Sequence, residues 1–156
     1  MMKTVLITGA DRGIGYSLCE CFIEGGWYVI AGQYMPEWPQ LSALAEKYPE
    51  QLAVIPLDVG KTESVQAAAE ASAALCDHID LLVSCAGISG GETYEKMRAV
   101  FNINTLGAVR MTEAFLPLMQ TGMKRLAFVS SEAGVISLAH RQDTFTYTMS
   151  KTALNM

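Results

Sequence analysis

The sequence predicts an α/β domain built on a doubly wound parallel sheet, and three observations predict it. Short apolar, β-rich runs alternate with longer helical stretches along the whole chain. The first run ends in a glycine-rich turn that opens directly into a helical pattern. The runs Val5-Leu6-Ile7 and Leu126-Ala127-Phe128-Val129 lack polar alternation, as expected of strands covered on both faces.

Taken in order, strands are expected at Thr4–Thr8, Tyr28–Gly32, Leu52–Pro56, Leu81–Ser84 and Leu126–Ser130. Helices are expected near Gly13–Glu24, Leu41–Lys47, Glu63–Leu75 and Glu95–Leu118. Strand–helix alternation gives right-handed βαβ units and hence a parallel sheet. Met35-Pro36-Glu37-Trp38-Pro39 reads as a loop whose two prolines delay the second helix, and Thr62 reads as the cap of the third. The long fourth helix carries Met97, Val100, Phe101, Val109, Phe115 and Met119 on more than one face. One face is expected to cover the sheet and another to meet a second subunit. No repeat, linker or low-complexity segment breaks the chain, so residues 1–156 form one domain.

Composition narrows the function. Half of the residues are hydrophobic (51%) and 17% are charged, which favours a large buried core. The net charge is −5 and no basic run occurs, against a nucleic-acid partner. No stretch reaches the roughly 20 apolar residues of a membrane span. Cys19, Cys21, Cys76 and Cys85 lack zinc-type spacing. Cys19 and Cys21, two apart on a helix, face different ways. Four free thiols point to the cytoplasm. Cys85 reads as a small buried thiol and His78 as a surface residue.

Two motifs carry chemistry. In Thr8-Gly9-Ala10-Asp11-Arg12-Gly13-Ile14-Gly15, the glycines allow a tight turn and let a pyrophosphate approach backbone N–H groups at a helix N-terminus. In Tyr147-Thr148-Met149-Ser150-Lys151, the first and last residues stack on one helix face. A free tyrosine ionises only near pH ~10, and an adjacent ammonium favours the phenolate, which suits the pair to acid–base work.

These motifs, with those that follow, make the chain resemble the short-chain dehydrogenase/reductase family, and its carbonyl-reductase-like members in particular. The resemblance runs from Thr4 to Met156. The glycine turn Gly9, Asp11, Arg12, Gly13, Ile14 and Gly15 matches the family's phosphate turn, and Asp58-Val59 its adenine-contacting pair. Ser84-Cys85-Ala86-Gly87 stands where the family has Asn-Asn-Ala-Gly, and Ala86 and Gly87 line the nicotinamide ribose by that resemblance. Asn104 matches the catalytic Asn that holds a relay water, with a purely structural amide as the other reading. Ser131, with Ser130 beside it, matches the Ser that orients the substrate oxygen. Tyr147 and Lys151 match the catalytic Tyr and the Lys that also holds the ribose. The family further implies a Rossmann-like strand order 3-2-1-4-5 and a homo-oligomer, dimer or tetramer.

Departures have consequences. Ser84 and Cys85 remove the asparagine cross-links between strands. The Ser131–Tyr147 interval is longer than in many members, with His140 and Arg141 there either touching substrate or solvated. The sequence ends inside the helix of Tyr147, so the C-terminal strands are expected to be absent, the domain incomplete, the fifth strand an edge, and residues 1–156 alone inactive and prone to associate. No acid follows the second strand in Ala31-Gly32-Gln33-Tyr34, and Arg12 is available to a 2′-phosphate, which favours NADP over NAD. The expected activity is hydride transfer between NADP(H) or NAD(H) and a small carbonyl or alcohol substrate, with Tyr147 as acid/base. A non-catalytic nucleotide-binding sensor or signalling module is the alternative. The glycine spacing places an epimerase or dehydratase third.

Overall fold

The computed structural model describes residues 2–138 and 143–156. His140 and Arg141 lie outside the described residues. In chain order the elements are β1 (Thr4–Ile7), α1 (Gly13–Glu24), β2 (Tyr28–Gln33), α2 (Pro39–Lys47), β3 (Leu52–Pro56), α3 (Thr62–Ala73), β4 (Leu81–Ser84) and α4 (Tyr94–Phe101). A π-helical turn (Asn102–Leu106), α5 (Gly107–Phe115), a 3-10 turn (Leu116–Met119), β5 (Arg125–Phe128), further 3-10 turns (Glu132–Gly134 and Ile136–Leu138) and α6 (Phe145–Asn155) complete it. The strands form one parallel sheet of order β3-β2-β1-β4-β5.

The two-residue period of the strands sorts the core into two layers. Leu6, Ile30 and Leu82 face Val65 and Ala68 of α3 and Met111 and Phe115 of α5. Val5, Ile7, Val29, Ala31 and Val83 face Cys19 and Ile23 of α1 and Leu41 and Leu44 of α2. Burying each large apolar side chain contributes roughly 1.5–3 kcal/mol. The expected covering of both sheet faces therefore holds at the centre, where Val5, Leu6 and Ile7 are fully buried.

It fails at β5. Leu126 and Phe128 are exposed, because β5 pairs only with β4 and stands at the sheet's edge. Other boundaries also differ. Pro39 is the first residue of α2 rather than part of the loop, a position where its missing N–H costs nothing. Lys61, not Thr62, caps α3; the Ser64 hydroxyl instead accepts from the Asp58 N–H at 2.9 Å. The expected long fourth helix is interrupted by the π turn at Asn102–Leu106. His78 is only 23% exposed, because it sits 3.5 Å from the buried carboxylate of Asp80. Cys19 is buried and Cys21 exposed, as their spacing predicts.

Candidate active site

The glycine turn connects β1 to α1 through a close approach of backbone to backbone. Gly9 has φ +66°, and a Cβ there would come 2.8 Å from the Ala86 Cα. A Cβ on Gly15 would collide with the Gly9 carbonyl oxygen, so α1 starts directly against the turn. Thr8 is fully buried, and its hydroxyl oxygen accepts from the N–H groups of Cys85 and Ala86 at 3.0 and 2.9 Å. This hydroxyl ties the end of β1 to the end of β4, although both family asparagines are replaced. A buried Thr between Ile7 and Gly9 was the sequence signal for it. At the opening of α1 no side chain caps the helix and no acid stands in its first turn. Its leading N–H groups thus have no capping side chain, and no acid within the first helical turn offsets their positive end. A Cβ at Gly13 would meet nothing within 4 Å, so this stretch of the turn is open.

Asp11 and Arg12 reach across to the segment that follows β2. The Asp11 carboxylate, 5% exposed, accepts from the Tyr34 N–H at 3.0 and 3.1 Å and from the Met35 N–H at 2.8 Å. Arg12 lies with its guanidinium carbon 4.6 Å from the centroid of the Trp38 ring.

At the other end, α6 presents Tyr147 and Lys151 one turn apart, with the Lys151 nitrogen 5.9 Å from the Tyr147 ring centroid. Lys151 is 4% exposed, and its ammonium donates to the Val129 carbonyl at 2.8 Å. Burial holds its pKa below the ordinary lysine value, with the Cys85 thiol acting the other way. Burial pushes the Cys85 thiol up, partly offset by Lys151. Cys85 is half-buried rather than buried and lines the cleft.

The π turn aims Asn104 inward, 2% exposed. Its Oδ1 accepts from the Ile88 N–H at 2.8 Å, and its Nδ2 donates to the Ile88 carbonyl and the Ser150 hydroxyl at 2.9 Å each. Arg110 and Asn102 brace this turn: Arg110 donates to the carbonyls of Val59 and Asn102, and Asn102 donates to the Gly60 carbonyl. A Cβ on Gly87 would lie 3.4 Å from Asn104 Oδ1 and 3.6 Å from Lys151 Nζ, so the glycine separates the two side chains. Ser131 starts the short turn after β5, and its hydroxyl oxygen accepts from the Ala133 N–H at 3.1 Å. Ser130 turns to Asn155 instead.

One cleft of about 650 Å³ joins these parts. Its walls include Gly9, Asp11, Arg12, Gly13, Ile14, Gly15, Asp58, Val59, Ala86, Gly87, Tyr147 and Lys151. Asn104 and Ser131 are not among its lining residues, whereas Ser130 and Val129 are. The sequence did not single out Tyr34, Met35, Leu57, Ile88, Ser89 or Ile103, which also line it. Most of these are backbone-positioned residues just beyond strand ends, without a motif of their own. Asp58 is held by the Gly60 N–H at 2.9 Å and by Lys61 at 3.3 Å. No described helix is long and apolar enough to cross a membrane.

Comparison with known proteins agrees with this geometry. The family model for short chain dehydrogenases matches residues 3–156. Estradiol 17-beta-dehydrogenase 2 of Mus musculus is 35% identical over 168 residues, covering 99% of this chain and 42% of the mouse protein. A short-chain dehydrogenase from Streptomyces avermitilis superposes with a TM-score of 0.88 at 30% identity, over 99% of this chain and 57% of that one. NADPH-bound carbonyl reductase from chicken fatty liver superposes with a TM-score of 0.85 at 29% identity, over 99% and 71% of the two chains. The chain thus spans less than half the length of the mouse relative.

Proposed function

The chain belongs to the short-chain dehydrogenase family, and from that premise we propose that it is an oxidoreductase moving a hydride between NADP(H) and a carbonyl or alcohol carbon. The observation that carries the reading is the cleft itself: it has the glycine turn on one wall and Tyr147 with Lys151 on another. The NADPH bound to the chicken relative supports the choice of dinucleotide.

The residues fit such a group. The first N–H groups of α1 would hold the pyrophosphate, with no capping side chain on them and no acid in the first helical turn. Arg12 would meet a 2′-phosphate, and Asp58 and Val59 would line the adenine end. Ala86 and Gly87 would lie along the nicotinamide ribose, which Lys151 would hold. When bound, the nicotinamide supplies or takes up the hydride. Tyr147 gives a proton to the carbonyl oxygen in reduction and takes one from the alcohol in oxidation. The Ser131 oxygen already accepts from the Ala133 N–H, which leaves its O–H to donate to the substrate oxygen. Asn104 braces α6 through Ser150 and adds a positioning role to any part it has in proton relay. The apolar side chains of Leu106, Val109 and Met149, each more than 40% exposed, support association with a second copy. Four unpaired cysteines support a reducing compartment.

The test is turnover of the protein at its full natural length with NADPH on a panel of ketones and aldehydes, beside Tyr147→Phe. Loss of turnover by roughly a hundredfold or more, with NADPH affinity retained, is the expected result. Undiminished turnover in Tyr147→Phe would remove the acid/base assignment. NADPH binding without turnover on any carbonyl would favour the non-catalytic nucleotide-binding reading.

A further inference from the structure

The segment after β2 is held to the phosphate turn by two consecutive side chains. Asp11 takes the N–H groups of Tyr34 and Met35, and Arg12 lies against the ring of Trp38, the residue that precedes Pro39 at the start of α2. Neither contact is a motif, because the partners are more than 20 residues apart in sequence. Asp11 spends its carboxylate on backbone N–H groups. Arg12 forms no ion pair with a carboxylate among the described residues. Its guanidinium is therefore an uncompensated cation on the cleft wall, beside Tyr34 and Met35. The nearby acid of the segment, Glu37, is exposed and does not line the cleft.

A long exposed Arg side chain samples many rotamers, and each is lost when it grips an anion. A ring under the guanidinium removes much of that freedom in advance and leaves the N–H edge of the fork open to a second partner. An acid on the segment after β2 would select a free ribose 2′-OH; a fixed cation selects a 2′-phosphate.

From this geometry we propose that Trp38 is a positioning residue for cofactor choice: by stacking on Arg12 it holds the guanidinium where a 2′-phosphate binds. The proposal rests on the NADP(H) reading above and extends it to a residue outside the cleft. Trp38 touches no part of the cofactor; it acts through Arg12.

The test measures NADPH and NADH dissociation constants for the full chain, Arg12→Ala, Trp38→Ala and Trp38→Phe. NADPH is expected to bind the wild type more tightly than NADH. Arg12→Ala should abolish the preference. Trp38→Ala should weaken NADPH by roughly two- to fivefold, the factor expected for an exposed cation–ring contact, and leave NADH unchanged. Trp38→Phe keeps a ring and should restore most of the loss. The NADPH-to-NADH ratio separates positioning from folding, since a merely structural tryptophan lowers both affinities together. An equal loss for both cofactors, or an unchanged NADPH affinity in Trp38→Ala, overturns the proposal while the Arg12 result can still uphold the cofactor reading. Equal affinities in the wild type overturn both.

Discussion

The side-chain amide of Asn104 donates to the Ser150 hydroxyl at 2.9 Å, across 46 positions of sequence, and so ties the π turn to the helix that carries Tyr147 and Lys151. The same amide satisfies both backbone groups of Ile88. Every polar atom of this buried side chain is thus engaged by the protein.

Asn104→Ala would strip partners from the Ile88 N–H and carbonyl at once. Leaving such groups unpaired costs about 1–3 kcal/mol each where water cannot replace the lost bond. Urea unfolding is expected to show a loss of at least about 1 kcal/mol, with a lower midpoint and unchanged slope. Turnover should fall as well, since α6 loses its brace. An unchanged midpoint would show that the amide is not the tie described.

Gly134 makes the next prediction. A Cβ there would lie 2.8 Å from the carbonyl carbon and oxygen of Lys151, backbone atoms that cannot swing aside. Gly134→Ala must therefore separate the turn after Ser131 from α6, at a cost of roughly 1–3 kcal/mol. The glycine turn of β1 and α1 is remote from this strain. The expected signature is a large fall in kcat with a weaker hold on NADPH through Lys151 alone, since the clash falls on that residue's backbone. A fall confined to cofactor affinity would contradict the placement of Ser131 opposite α6.

These two residues also mark what could be read from sequence. The alternation of strand and helix was legible, as were the turn Gly9–Gly15 and the Tyr147–Lys151 spacing, because each is a local pattern with a fixed period. α1, β3 and β4 keep the expected bounds. What escaped depends on distant partners. The π turn at Asn102–Leu106 inserts one residue into the hydrogen-bond ladder, and no single residue type there marks it; the spread of apolar residues over more than one face was its only trace in the sequence. The exposure of Leu126 and Phe128 depends on which strand ends the sheet. Asp11 was legible as part of the glycine turn, but not the bonds its carboxylate accepts from backbone N–H groups after β2. Arg12 was legible as a cation in the turn, while its ring partner, Trp38, sat in a stretch read only as loop.

Asp80 predicts an acid limb. It is buried at the start of β4, where its carboxylate accepts from the N–H groups of Thr4 and Met123 at 2.9 Å each. Burial pushes its pKa up, but those N–H groups and His78 outweigh it, and the net value lies below the ordinary 3.8. A carboxyl whose folded pKa is depressed stabilises the fold above its unfolded value and loses that contribution as pH falls through the folded one. The window therefore opens below pH 3.8. Asp80→Asn should lower stability at neutral pH by about 1–3 kcal/mol, because an amide N–H faces a backbone donor. The difference between wild type and variant should then shrink as pH drops below 3.8 and through that window. A difference that stays constant down to acid unfolding would show that Asp80 does not supply it.

Lys151 predicts the opposite limb. Its ammonium is almost wholly buried, and burial lowers its pKa from the ordinary 10.5. Below the folded pKa the protein must bury a charge that the unfolded chain leaves in water. Between the folded pKa and 10.5 the unfolded chain binds more protons, so this residue's contribution to stability rises with pH there. The comparison is wild type against Lys151→Met, which keeps the length of the side chain and removes the charge. Cys85 faces the same ammonium and its thiol is pushed up by burial, so both proteins carry Cys85→Ala. Tyr147 lies beside the ammonium in the lysine form alone, so both proteins also carry Tyr147→Phe. The stability of the lysine form relative to the methionine form, from urea unfolding, is expected to increase from pH 7 toward the alkaline edge of that window. NADPH affinity should be weaker in the methionine form at every pH, because the ribose loses its cation. A relative stability that is flat or falls with pH would mean that the ammonium is better solvated than its position behind Val129 and Gly87 implies.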